Sequence, residues 1–132
     1  MCMFQPPQKT IEQRQPFPSE IEFFNRTKIP GYAADDNRIV MNPMDLPGVD
    51  KEAVKKNEAL RIYIRQEQPE LPDLTAEQKE YIRSNPSYSG ADEYSQRATI
   101  LGRLASGDPT GGTPSEAQKD FLKKTTSKYK IK

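Results

Sequence analysis

The chain has no histidine and no tryptophan, a single cysteine, and only 33% apolar residues. Each shortage excludes something. Without histidine, the commonest general base and metal ligand is missing. Cys2 has no imidazole to activate it and no second thiol with which to bind a metal or close an intrachain disulfide. No apolar run approaches the ~20 residues of a membrane span. The opening "MCMFQPPQK" carries neither the basic segment nor the apolar core of a secretory leader, so a cytoplasm is the expected site of synthesis. A formal net charge of +1 supplies no global field toward nucleic acid or membrane.

Proline, by contrast, is abundant: 12 of 132 residues, against a usual share of about 5%. So much proline and so little apolar material oppose one large core. The expectation is a mainly α chain of several short helices joined by extended proline-rich segments, with at most a minimal β element near residues 38–41. It divides into an extended arm (residues 1–18), a small helical domain (residues 19–122) and a basic tail (residues 123–132).

In the arm, Pro6, Pro7, Pro16 and Pro18 fix φ and disfavour helix at the residues before them. Phe4, Ile11 and Phe17 stand there as isolated anchors, suited to grooves on a neighbouring subunit. Phe23 and Phe24 in "SEIEFFNRTK" extend the same apolar set, on a helix that Ser19 and Glu22 would start as a capping box and Pro30-Gly31 would stop. Asp35, Asp36 and Asn37 read as a turn. Residues 38–41 form a brief β-like run with no second clear strand.

Asp50 is the expected N-cap of a helix on which Ala53, Asn57, Leu60 and Ile64 share one face. An asparagine on that face either bonds to a nearby loop's backbone, as a buried amide requires, or lies at the solvent margin. Thr75 and Gln78 make a clear capping box, with Leu74 placed for a hydrophobic staple and Asn85-Pro86 as the stop. In the next helix Tyr94, Ala98, Leu101 and Ala105 recur at helical spacing, beside Ile100 and Leu104. Gly102 within it costs ~1 kcal/mol relative to alanine unless close packing uses the missing side chain.

The stretch "LASGDPTGGTPSEAQ" raises the question of a phosphate cradle. Gly107 and Gly112 have the required separation, but Thr113-Pro114 stand where Lys-Ser/Thr is needed, and a helix precedes them instead of a strand. Stop and start signals explain the same residues. Gly107 suits the C′ position with Pro109 beyond it, and Thr113, Pro114 and Glu116 suit an N-cap, N1 and box partner.

Adjacent Asp35 and Asp36, and likewise Asp45 and Asp50, read as turn and cap residues; no catalytic residue, metal site or cofactor is expected. The remaining feature is the tail, where Lys123, Lys124, Lys128, Lys130 and Lys132 face no acid within the stretch and Tyr129 and Ile131 are interleaved. Such a tail can grip DNA phosphates, dock on an acidic protein surface, or stay solvated.

Three stretches together, "GYAADDNRIVMNP", "NEALRIYIR" and "ATILGRLASGDPTGGTPSEAQ", resemble small, mostly uncharacterised virion proteins of tailed bacteriophages, short-tailed ones in particular. The matching residues are Asp36, Asn37, Arg38, Asn42 and Pro43, then Asn57, Glu58, Ala59 and Arg61, then Ser106, Gly107, Asp108 and Pro109. The resemblance covers roughly residues 31–120 and assigns no role to any single residue. It implies a minor structural protein of the particle, in multiple copies at the portal, head–tail or tail region. Its partners would be other virion proteins (portal, tail or capsid subunits), with DNA contact through the lysine tail and no membrane. A capsid cement protein, or a soluble adaptor or inhibitor of one host protein, is the alternative.

Overall fold

The computed structural model describes residues 8–108 and 112–132, which leaves Cys2, Phe4, Pro6, Pro7 and Pro109 outside the described residues. The elements run β1 (Lys9–Ile11), β2 (Gln13–Arg14), α1 (Pro18–Thr27), β3 (Gly31–Ala33), β4 (Ile39–Met41), α2 (Lys51–Glu67), α3 (Ala76–Arg83), α4 (Pro86–Ser89), α5 (Glu93–Ala105), α6 (Glu116–Thr125) and β5 (Tyr129–Ile131). The chain is mainly helical, with a few short strands.

Helix α2 is the centre of the assembly. Asp50 caps it as expected, its carboxylate accepting from the N–H groups of Glu52 and Ala53 at 3.0 and 3.2 Å. Ala59, Leu60, Ile62, Tyr63 and Ile64 are buried along it and pack with Ile11, Ile39, Leu71, Leu101 and Tyr129 in one core. A smaller cluster joins Phe24, Ala34 and Val40. Helix α5 lies close against α2 because Gly102 has no side chain. A Cβ there would come within 2.3 Å of Asn57 Oδ1 and 3.2 Å of Arg61 Cγ. Asn57 therefore faces α5 and not a loop's backbone, and its buried Oδ1 has no hydrogen-bond partner.

The β structure exceeds the single element expected near residues 38–41. That run is β4, and it pairs antiparallel with β3 (Tyr32 opposite Val40) and parallel with β2 (Arg14 opposite Val40). Strand β1 pairs parallel with β5, Ile11 opposite Ile131. The segment from Lys9 to Arg14 thus serves both sheets. Lys132 N–H donates to Ile11 O and Gln13 N–H to Lys132 O on one side, while Ile39 N–H donates to Glu12 O on the other. Lys9–Ile11 of the arm and Tyr129–Ile131 of the tail are accordingly strands that pair with each other, while the tail's first residues close α6. Proline led to the expectation of extended chain in the arm alone; that part of it pairs with the tail, some 120 residues away, was not legible.

Two helix starts also lie two residues from their expected places. Pro18 takes N1 of α1, where its fixed φ suits the first turn, so Ser19 is already helical. Phe17 occupies the N-cap position and its N–H donates to Glu20 Oε1 at 2.8 Å. Helix α6 is capped by Ser115 with Gln118, and not by Thr113 with Glu116. Both spacings fit a capping box; the second also buries Gln118 against another helix. The end of α5 is a Schellman motif as the glycine suggested: Asp108 N–H reaches Arg103 O, Gly107 N–H reaches Leu104 O, and Gly107 has φ 81°.

Candidate functional site

Of the anchors expected to meet a neighbour, two are internal. Ile11 is 1% exposed in the main core and Phe24 is 0% exposed in the smaller one, its ring edge-on to Tyr32 at 5.7 Å. Strand pairing on both sides of the Lys9–Arg14 segment and the packing of α1 on β3 and β4 account for the burial. Phe23 is half-buried beside Phe24. Phe17 remains 56% exposed, and Ile21, one turn on, 39%.

Phe17 is held from behind. The Arg14 guanidinium lies 4.1 Å from its ring centroid, and the same group forks onto Glu20 at 2.7 and 3.1 Å and onto Asp36 at 2.8 Å. Tyr32 donates its hydroxyl hydrogen to Glu20 as well. The Arg14 hydrogen bond is the main reason the Glu20 carboxyl is held below its ordinary range. At Asp36 burial pushes upward, but Arg14 outweighs it and the net direction is again down. This clamp joins the Lys9–Arg14 segment, α1, β3 and the 35–37 turn. No sequence periodicity marks it, because its members lie in four separate pieces of chain.

The five expected lysines, Lys123, Lys124, Lys128, Lys130 and Lys132, are all exposed. Lys124 pairs with Asp120 one turn earlier at 2.9 Å; the other four form no ion pair among the described residues. Tyr129 does not join them. Strand alternation turns it inward, 8% exposed, with its ring centroid 5.3 Å from that of Tyr63. Burial, with Tyr63 beside it, pushes its hydroxyl up to about 12.

A concavity of about 320 Å³ opens between α2, α5 and β3. Its acid is Glu58, a buried carboxylate that the sequence marked only as a motif match, without a role, since it lies one position off the expected apolar face. Burial pushes its carboxyl up, opposed by the charges of Arg61 and Arg65 and by the backbone N–H of Ala33. Arg61 approaches it to 3.8 Å. Arg65 is turned partly away, donating from Nη2 to Ala34 O at 2.7 Å and from Nε to Asn37 Oδ1 at 3.0 Å.

The motif residues mostly do structural work. Asn37 takes φ 62° in the turn; Asn42 is buried and bridges Ile29 O and Met44 N–H at 2.9 Å each. Among the described residues no group of three or more His, Cys, Asp or Glu is placed to hold a metal ion, and no helix is long and apolar enough to cross a membrane. The chain matches no protein-family model, no curated protein and no solved structure.

Proposed function

We propose that this protein is a non-enzymatic structural component of a tailed-phage virion, repeated around the portal or head–tail axis, where it binds neighbouring subunits. The observation that carries the binding role is the pair Phe17 and Ile21, at the cap and in the first turn of α1, the exposed large apolar side chains among the described residues. An aromatic ring fixed in place by a clamped guanidinium loses little freedom on docking, which favours association. The location in a virion rests on the resemblance of residues 31–120. Phe4 is the further anchor proposed for the arm, and Lys123, Lys128, Lys130 and Lys132 are proposed to face an acidic subunit wall or DNA phosphates.

The double substitution Phe17→Ser with Ile21→Ser tests the binding role. Both side chains lie on the surface, so the purified variant is expected to unfold at the same urea concentration as the parent. Its incorporation into particles is expected to fall at least about tenfold, as loss of two buried apolar anchors implies. Undiminished incorporation overturns the reading.

A further inference from the structure

The concavity between α2, α5 and β3 has an unusual charge order. Glu58, Arg61 and Arg65 stand at i, i+3 and i+7, rising about 4.5 and about 10 Å along one side of α2. The acid is buried at the floor, and the two guanidiniums are exposed at the rim. Neither charge has a hydrogen-bonded partner of opposite sign within the concavity. The 3.8 Å separation of Arg61 Nη1 from Glu58 Oε1 is an ion pair but too long for a hydrogen bond. Arg65 gives Nε to Asn37 Oδ1 and Nη2 to Ala34 O, both neutral acceptors. The remaining lining mixes apolar groups, Ile64, Ala98 and the rings of Tyr32 and Tyr94, with the polar Gln68 and Ser95.

We infer that this concavity binds a small zwitterion, an α-amino acid with an apolar side chain. The ammonium sits on the Glu58 carboxylate, the ligand's carboxylate on Arg61 and Arg65, and the side chain against Ile64 and Ala98. An anion alone would meet Glu58 at the floor, and a cation alone would have to pass two guanidiniums at the rim. Only a ligand carrying both charges within a few ångströms satisfies both. Burial is the largest cause of the upward shift of the Glu58 carboxyl, and a ligand's ammonium beside it would act in the opposite direction. The volume of about 320 Å³ lies at the small end of ligand pockets, as such a ligand requires.

The test is a titration of the ¹⁵N-labelled full chain, followed by amide chemical shifts, with three probes. L-leucine carries both charges, N-acetyl-L-leucine only the negative one, and L-leucine methyl ester only the positive one. Saturable shifts centred on Ala33, Glu58, Arg61 and Ala98 are expected with L-leucine, and at least about tenfold weaker binding with either derivative. Arg61→Gln, at an exposed position, is expected to keep the parent spectrum elsewhere and weaken L-leucine binding by about tenfold or more. Absence of saturable shifts overturns the inference. So does binding of one derivative as tight as that of leucine, or leucine binding unchanged in Arg61→Gln.

Discussion

Gln78 and Gln118 hold each other through both ends of their side-chain amides. Nε2 of each donates to Oε1 of the other, at 2.9 and 2.6 Å, although 40 residues separate them. Each also closes the capping box of its own helix: Thr75 N–H donates to Gln78 Oε1 at 2.8 Å, and Ser115 N–H to Gln118 Oε1 at 2.9 Å. Gln118 Nε2 further reaches Asp73 O at 3.2 Å. Both side chains are wholly buried. The starts of α3 and α6 are therefore joined through one satisfied polar pair, which fixes where the C-terminal helix sits.

Because the pair is buried, removing one member strands the other. Gln118→Leu is expected to cost about 2 kcal/mol or more, since Gln78 loses a donor and an acceptor at once. Gln78→Leu is expected to cost about as much, and the double substitution less than the sum by about 1 kcal/mol. Urea unfolding of the three variants measures this. Strict additivity would mean that the two amides act independently.

Gly102→Ala reverses the usual helix preference. Alanine would gain up to about 1 kcal/mol in propensity, but its Cβ would stand 2.3 Å from Asn57 Oδ1. A net loss of about 1–3 kcal/mol is expected from overpacking. Asn57→Ala alone is expected to be near neutral, because Oδ1 has no partner to lose, and it should rescue Gly102→Ala. Thermal melts of the single and double variants decide this.

Glu58 makes the fold weaken as pH rises. Its folded carboxyl titrates above the unfolded value, with burial as the largest cause. The folded state therefore binds its proton more tightly, and that stability is fully present below the unfolded pKa and lost as pH climbs through the folded one. Glu58→Gln, which cannot ionise, is expected to gain stability over the parent progressively across the range from about pH 4 upward. A stability difference independent of pH in that range would show that Glu58 titrates normally.

The basic tail has a buried ring and exposed lysines that separate by substitution. Tyr129→Ala is expected to cost about 3 kcal/mol or more, since its ring packs on Tyr63 in the core. Lys123→Gln, Lys130→Gln and Lys132→Gln together are expected to change stability by no more than about 0.5 kcal/mol. The same triple variant is expected to flatten the salt dependence of binding to double-stranded DNA or an acidic subunit. An unchanged salt slope removes the lysines from the interface.

What the sequence showed clearly was local. The Thr75–Gln78 box, the Asp50 cap and the Gly107 stop are each written within a few residues, and each stands where it was read. Gly102 was legible as a close approach, and Asn57 as an anomaly, but not that the two meet. The same limit hid the rest. Ile11 stands alone among the polar residues and prolines of the arm and so read as an anchor for a neighbour, and Tyr129 read only as a ring interleaved among the tail lysines. Only the parallel pairing of the two chain ends, which no local pattern encodes, turns them inward. The Arg14–Glu20–Asp36 clamp and the Glu58 concavity are likewise assembled from elements distant in sequence.

The proposal of a virion role is tested most directly by quantitative mass spectrometry of density-gradient-purified particles from the producing host, with copy number referenced to the major capsid protein. A fixed ratio corresponding to about six or twelve copies per particle is expected for a ring around the portal or tail axis. Hundreds of copies would contradict the portal placement and indicate a capsid cement. Absence from purified particles would contradict the structural role itself.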